Sequence, residues 1–384
     1  MRIAIIGAEL HGIEATYLAK KAGFETFVIG KKEGAPALSM ADDYVIMDPV
    51  APESNVMRVL RKCDAVLPAC ENVRMLTRLN KILEFSNLPL LFDIDAYLIS
   101  SSKNASNAMM EKIGVPTPRK WQDCGYPVIV KPSSQSGGAG VTIAHNDKEV
   151  NEGIGKIMGM GDEPLIQEYV SGKCISVEVI GDGHNFKSFA VNEGRLSENY
   201  DCKMVKCSPN ILRAEVEREF RHIAEKMAEI IDLGAVMNVE AIITEKGLKV
   251  IEMDARIPTQ APTAVLAATG VNLLKEMTEP VRRGRPRWDK RASAYEHFII
   301  SEGKMATCGE VEFAKMRAPK ILRGLFGSDE MITDYEPGAA VWRCGMINSA
   351  ASNEELETKR RLCIEKMMDE CKIKEFIDVS PPFL

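Results

Sequence analysis

The chain has no Gly-Lys-Ser or Gly-Lys-Thr triplet closing a glycine-rich loop, which excludes the P-loop way of holding a nucleotide phosphate. It has no Cys-x-x-Cys spacing either. Its ten cysteines read as reduced thiols in core positions, not as a disulfide framework or a zinc site, and the expected location is cytoplasmic. No long run of one charge sign is present, and the formal net charge of -6 gives no general attraction to nucleic acid or to an anionic membrane. The opening MRIAIIGAELHGIEATYLAKK is too short in its apolar part to span a bilayer, and acidic residues follow where a signal peptide would carry its cleavage site. The five histidines are scattered, so no Ser-His-Asp arrangement is legible, and His297 in YEHF reads as structural. No repeat or low-complexity tract is evident. These absences leave a globular chain whose expected partners are small ligands.

With 384 residues and 45% hydrophobic content, the chain is long enough for roughly two or three domains. RIAIIG reads as a buried parallel strand, LHGIEATYLAKKAG as a helix ending at Gly23, and ETFVIG as the next strand, which together make a βαβ unit. Residues 1–97 are therefore expected to form a doubly wound α/β domain. Its ligand-facing edge is the loops after the strands, including 7–12 and 70–72, which makes Glu71 and Asn72 candidate substrate-binding residues. Short strands alternate with helices through 98–290, expected as a central domain with subdomains of about 98–164 and 165–290. Within it NEGRLSENYDCKMVKCSP is polar and is expected as a mobile loop able to close over a site. The remainder, 291–384, reads as a mixed α+β domain with a closing helix near 353–371. The fold class is thus α/β and α+β.

Two stretches carry chemistry. VIVKPSSQSGGAGV places Lys131 at the end of a buried strand, followed by a Ser/Gly loop, a layout suited to phosphate. The plain alternative is a lysine beside a flexible turn. Farther on, MNVEAIITEKGLKVIEMD reads as a hairpin turning at Lys246-Gly247, with Glu240 on one strand and Glu252 and Asp254 on one face of the other. Three carboxylates packed together repel, so a hard divalent cation such as Mg²⁺, which also takes substrate phosphates, is their natural partner. Ordinary exposed hairpin charges are the alternative. Arg256, on the same face, has a fork suited to a carboxylate or acyl phosphate oxygen, or else to a salt bridge with its acidic neighbours. Glu178 shares strand parity with Ser176 and is expected to face the cleft, where it would pair with a substrate amine; a structural ion pair is the other reading.

Lys103 before a helix, Lys131, SSQSGGAG, QEYVSG, and the pair NVEAI with VIEMDARIP resemble the ATP-grasp carboxylate-amine ligases. The resemblance covers about 100–280 closely and extends to the N-terminal domain, which looks like that family's preceding domain. It implies an ATP-grasp fold, ATP as a co-substrate and Mg²⁺, as two ions. It further implies that Lys103 and Lys131 contact the ATP phosphates and that the loop with Ser136, Gly137 and Gly138 covers them. Glu168, Tyr169 and Val170 match the hinge that reads adenine, and Lys203 or Lys206 matches the lid lysine at the γ-phosphate. Glu240, Glu252 and Asp254 match the metal ligands, and Arg256 matches the arginine at the reacting carboxylate. Two departures stand out: Asp254 replaces a common Asn, and the acid that several relatives use for ribose near Cys174 is missing.

GAELHGIEATYLAKKAGFET, LPACEN, YDCKMVK and EMDARIPTQAPTAV are similar, more narrowly, to the pyrrolysine-biosynthesis ligases, which join 3-methyl-D-ornithine to the ε-amine of L-lysine. That resemblance implies amino acid substrates (3-methyl-D-ornithine or D-ornithine, and L-lysine) and phosphorylation of a carboxylate by ATP before an amine attacks. It leaves a homodimer possible. Other readings stay open at this point: another ATP-grasp peptide ligase of the D-alanyl dipeptide type, a nucleotide-binding module without activity, or a nicotinamide-dependent dehydrogenase. The last is weakened by Glu9 in place of the middle glycine of GxGxxG and by Gly30, Lys31 and Lys32 where an acid should meet ribose.

Overall fold

The computed structural model describes residues 1–282 and 291–381, so the domain boundary expected at 290 falls outside the described residues. At the N-terminus, strands Asp43–Ile46, Glu25–Gly30, Arg2–Ile6 and Ala65–Pro68 form a parallel sheet in that order. Ile3, Ala4, Ile5 and Ile6 are all buried, as a parallel strand covered on both faces requires. Gly7 follows at φ +120°, and a Cβ there would lie 2.2 Å from the Ala69 carbonyl oxygen. Close packing of two strand ends therefore accounts for this glycine.

A small antiparallel sheet orders Thr142–Ala144, Val128–Pro132 and Pro164–Glu168. Val128 and Val130 pack with Val150 and Ile157 of helix Asp147–Gly159. Period-two alternation then turns Ile129 and Lys131 to the opposite face, toward the site.

The third sheet is 11-stranded among the described residues. Its path begins with Gly247–Asp254, Val236–Thr244 and Lys173–Gly181, passes through Phe186–Leu196 and Cys202–Cys207, and continues into Ala292–Ser301 and Val341–Ala350. Strands on both sides of 290 thus belong to one hydrogen-bonded sheet, with Val205 opposite Tyr295. The structure also corrects the mobile loop expected over 192–209: Phe186–Leu196 and Cys202–Cys207 are paired strands, and the turn between them is confined to 197–201. Hydrogen bonding to neighbours on both sides outweighs the polar character of that segment.

Candidate active site

Alternation in the large sheet builds one wall of the site. Val177, Val239 and Met253 are fully buried in a core that includes Phe220, Ala224 and Met227 of helix Ala214–Ile230. Ser176, Asn238, Glu240, Glu252 and Asp254 point the other way, into a cavity of about 310 Å³. Glu240 stands opposite Glu252 on one side and Ser176 on the other, and Asn238 stands opposite Asp254. Burial, reinforced by the charges of Glu252 and Asp254, pushes the Glu240 carboxyl up to about 7. Asp254 rises to about 6 because burial and Glu252 outweigh the pull of Arg256.

Cations meet these acids from three other elements. Lys103 opens helix Lys103–Lys112, which Ser102 caps through Ala105 N. Its Nζ lies 2.6 Å from Glu252 Oε1 and donates to the Gln135 carbonyl at 2.7 Å. Burial disfavours its charge, but Glu252 together with Asp254 and Glu240 outweighs burial and holds the pKa above the ordinary lysine value. For Lys131 the balance is reversed: burial outweighs the attraction of Glu252 and lowers it, and Nζ donates to the Ile251 carbonyl at 3.3 Å. Arg256 follows the hairpin and reaches Asp254 Oδ2 at 3.2 Å and Glu71 Oε1 at 2.5 Å. Glu71 comes from the edge of the N-terminal sheet, where its other oxygen accepts from Ser136 Oγ at 2.9 Å. This carboxylate therefore joins the N-terminal domain, the glycine loop and Arg256 at one point.

The loop after Lys131 takes its shape from glycine. Gly137 and Gly138 lie at φ +61° and +71°, and a Cβ on Gly138 would sit 2.2 Å from the Asn199 carbonyl oxygen. The loop thus rests on the 197–201 turn. At the far end Glu168, Tyr169 and Val170 line the cavity. The Glu168 carboxylate is itself held by Arg119, with Nε and NH2 each at 3.1 Å, and that bond lowers its pKa.

Four expected residues stand elsewhere. Lys203 Nζ is bound by Asp378 at 2.6 Å and by the Val379 carbonyl at 2.7 Å, and Lys206 Nζ by Glu357 at 2.6 Å. Neither lines the cavity, because acids on helix Asn353–Glu370 and on the C-terminal segment draw both ammonium groups to the other side of the strand. Glu178 is also corrected. It stands opposite Asn238 but is 0% exposed, and its oxygens accept from Asn192 Nδ2 at 3.3 and 3.2 Å, which closes it off from the cleft. Asn72 is the N-cap of helix Val73–Leu83, its Oδ1 accepting from Met75 N.

Cavity residues to which the sequence reading gave no individual role include His11, Asn238, Asp201 and Glu310. Asn238, whose Nδ2 donates to Glu240 Oε1 at 3.1 Å, shares the parity of Glu240 and was findable from that alone. The other three reach the cavity only through tertiary structure. His11 lies 3.7 Å from Glu71, and burial together with the Arg256 charge lowers it to about 3.

Among the described residues no three His, Cys, Asp or Glu side chains stand in metal-ligating geometry, since Lys103 and Arg256 sit on Glu252 and Asp254. The donor set is nevertheless all carboxylate oxygen, half-buried and mutually repelling, which fits a hard divalent cation.

Comparison with known proteins assigns the family. The model of the ATP-grasp domain matches residues 100–260, and that of the PylC-like N-terminal domain matches 3–87. The chain is 34% identical over 347 residues to the 3-methyl-D-ornithine–L-lysine ligase of Methanosarcina barkeri, covering 89% of each, and 36% identical to that of Methanosarcina mazei, covering 89% of this chain and 87% of the other. The chain belongs to the 3-methyl-D-ornithine–L-lysine ligase family of ATP-grasp enzymes. As a member it is a ligase that forms a carbon–nitrogen bond, and the dehydrogenase reading is set aside. Solved structures agree on the fold of this ligase. The biotin carboxylase domain of Hydrogenobacter thermophilus 2-oxoglutarate carboxylase, crystallised with MgADP, gives a TM-score of 0.70 at 19% identity over 94% of this chain and 89% of that one. An L-amino acid ligase from Bacillus licheniformis gives 0.66 at 17% identity over 95% and 97%. Among the described residues no helix of this ligase is long and apolar enough to cross a membrane.

Proposed function

We propose that this ligase joins 3-methyl-D-ornithine to the ε-amine of L-lysine at the expense of ATP, through an acyl phosphate. The substrate names come from its relatives. The observation that carries the chemistry is the single cavity in which Lys103, Lys131 and Arg256 converge on Glu240, Glu252 and Asp254. A carboxylate oxygen of the first amino acid attacks the γ-phosphorus and ADP departs. The amine of the second then attacks the carbonyl carbon, and inorganic phosphate leaves with that oxygen.

Each residue has a role in this reading. Lys103 and Lys131 balance phosphate charge, and the low pKa of buried Lys131 is raised again once a polyanion lies beside it. Ser136 to Gly138 cover the phosphates and keep water from the acyl phosphate. Glu168, Tyr169 and Val170 flank the adenine. Arg256 steadies the carboxylate and the oxyanion that forms from it, with Glu71 standing in its fork until the substrate carboxylate arrives. Ser176 and Glu71 border the amino acid. Glu240, Glu252 and Asp254 would hold Mg²⁺, as two ions, which supplies charge neutralisation at the phosphates. Residues 1–97 then act as a domain that walls the central unit, while the strands after 290 continue that unit's sheet. A homodimer in the cytoplasm is the proposed working form, and sedimentation gives its mass.

Mass spectrometry of a reaction with ATP, Mg²⁺, L-lysine and 3-methyl-D-ornithine or D-ornithine tests the proposal. A lysine-linked dipeptide formed with one ADP supports it. ADP release that needs a different acceptor, such as D-alanine, replaces it with another ligase of the same fold.

A further inference from the structure

Two cavity carboxylates have no part in the roles above: Asp201, from the 197–201 turn, and Glu310, from the start of helix Glu310–Phe313. Asp201 is only 7% exposed. Its Oδ2 accepts from Val311 N at 2.9 Å, while its Oδ1 is buried with no hydrogen-bond partner. The close fit is deliberate in the sequence, since a Cβ on Gly309 would lie 2.1 Å from Oδ2. A buried carboxylate oxygen lacking a donor is unfavourable unless something else supplies one. Glu310 accepts from Thr259 Oγ1, three residues beyond Arg256, and the charges of Asp201, Arg256 and Glu240 all act on it.

We infer that Asp201 and Glu310 hold the side-chain ammonium of the acceptor amino acid and that one of the two carboxylates takes up its proton, so that the free amine meets the carboxyl group held at Arg256. The inference rests on the ligase reading above. An ammonium brings three donors and one positive charge, which matches an unpartnered carboxylate oxygen beside a second carboxylate. An α-ammonium suits the place less well, because its own carboxylate would lie against two acids of the same sign. A lone ammonium on an aliphatic stem has no such conflict, and Val311 offers the stem an apolar wall. The position also places the amine where it is needed, since Glu310 lines the same cavity as Arg256 and is bonded by Thr259, three residues beyond that arginine.

The test is calorimetric binding of L-lysine and of L-norleucine, which lacks the side-chain ammonium, to the full chain with Mg²⁺ and a non-hydrolysable ATP analogue. Asp201→Asn and Glu310→Gln each keep an acceptor for Val311 N or Thr259 and remove only the charge. Wild type should bind lysine and not norleucine, and each variant should weaken lysine about 30-fold or more while its affinity for the ATP analogue is unchanged. Wild-type lysine affinity in both variants overturns the inference. So does equal binding of lysine and norleucine by the wild type, or a matching loss of nucleotide affinity. Dipeptide formation with unaltered affinities in the variants would sink this site and leave the ligase reading standing. Charge-dependent lysine binding without dipeptide would do the reverse.

Discussion

Glu178→Gln tests where that carboxyl lies. The side chain is 0% exposed and accepts from the Asn192 amide, and burial raises its pKa from 4.5 to about 8. Between those two values the unfolded chain has released this proton and the folded chain retains it. A raised acid therefore contributes stability that is whole below the unfolded pKa and is lost as pH climbs to the folded one, at about 1.4 kcal/mol per pH unit. Glutamine has the same shape and no proton to lose. Between about pH 5.5 and pH 7.5 the variant should accordingly gain about 2.7 kcal/mol on the wild type. Other buried acids, such as Glu14 at about 7, titrate in both proteins and cancel in the difference. Urea unfolding at the two pH values, followed by tryptophan fluorescence, measures it. Turnover and the KM for either amino acid should not change. A stability difference independent of pH would refute the reasoning, because it would mean that Glu178 is ionised in the folded protein and faces water or a cation.

Glu252→Gln removes a proposed Mg²⁺ ligand and Lys131→Ala a proposed cationic partner of the phosphates, and each should lower kcat by about 10² or more with the melting temperature retained; near-normal steady-state rates would place the site elsewhere. Gly138→Ala forces a Cβ against the Asn199 carbonyl at a left-handed φ, so the loop should shift and the KM for ATP should rise about tenfold; an unchanged KM would mean the loop does not touch nucleotide. Lys203→Ala and Lys206→Ala break bonds to Asp378 and Glu357, and should destabilise by about 1 to 3 kcal/mol while leaving the KM for ATP alone; a large rise in that KM, measured by coupled ADP release, would restore a lid role.

Parity made much of the acidic wall legible. Once Glu240 and Glu252 were set on facing strands, the alternation that buries Val239 and Met253 left the carboxylates no other face. The same rule misjudged Glu178, because parity gives a face but not a depth, and Asn192 on the next strand covers it. Lys203 and Lys206 failed for a related reason: their partners lie on elements more than a hundred residues later, and nothing local to YDCKMVK announces Asp378 or Glu357. Polar composition likewise misread 192–209 as a loop: the segment is a hairpin of paired strands, whose second strand is completed by Ala292–Ser301 far along the chain. Glu310 reaches the cavity from a helix that follows Ala292–Ser301, a strand of the central sheet, and that continuity is not expressed by spacing in the sequence.

In the proposed reaction the carboxylate is activated by phosphoryl transfer. Labelling both carboxyl oxygens of D-ornithine with ¹⁸O and analysing the products by mass spectrometry tests it most directly. The expected products are ADP, a lysine-linked dipeptide retaining one label, and inorganic phosphate carrying the other. Label recovered in AMP, or phosphate free of label while dipeptide accumulates, would contradict it.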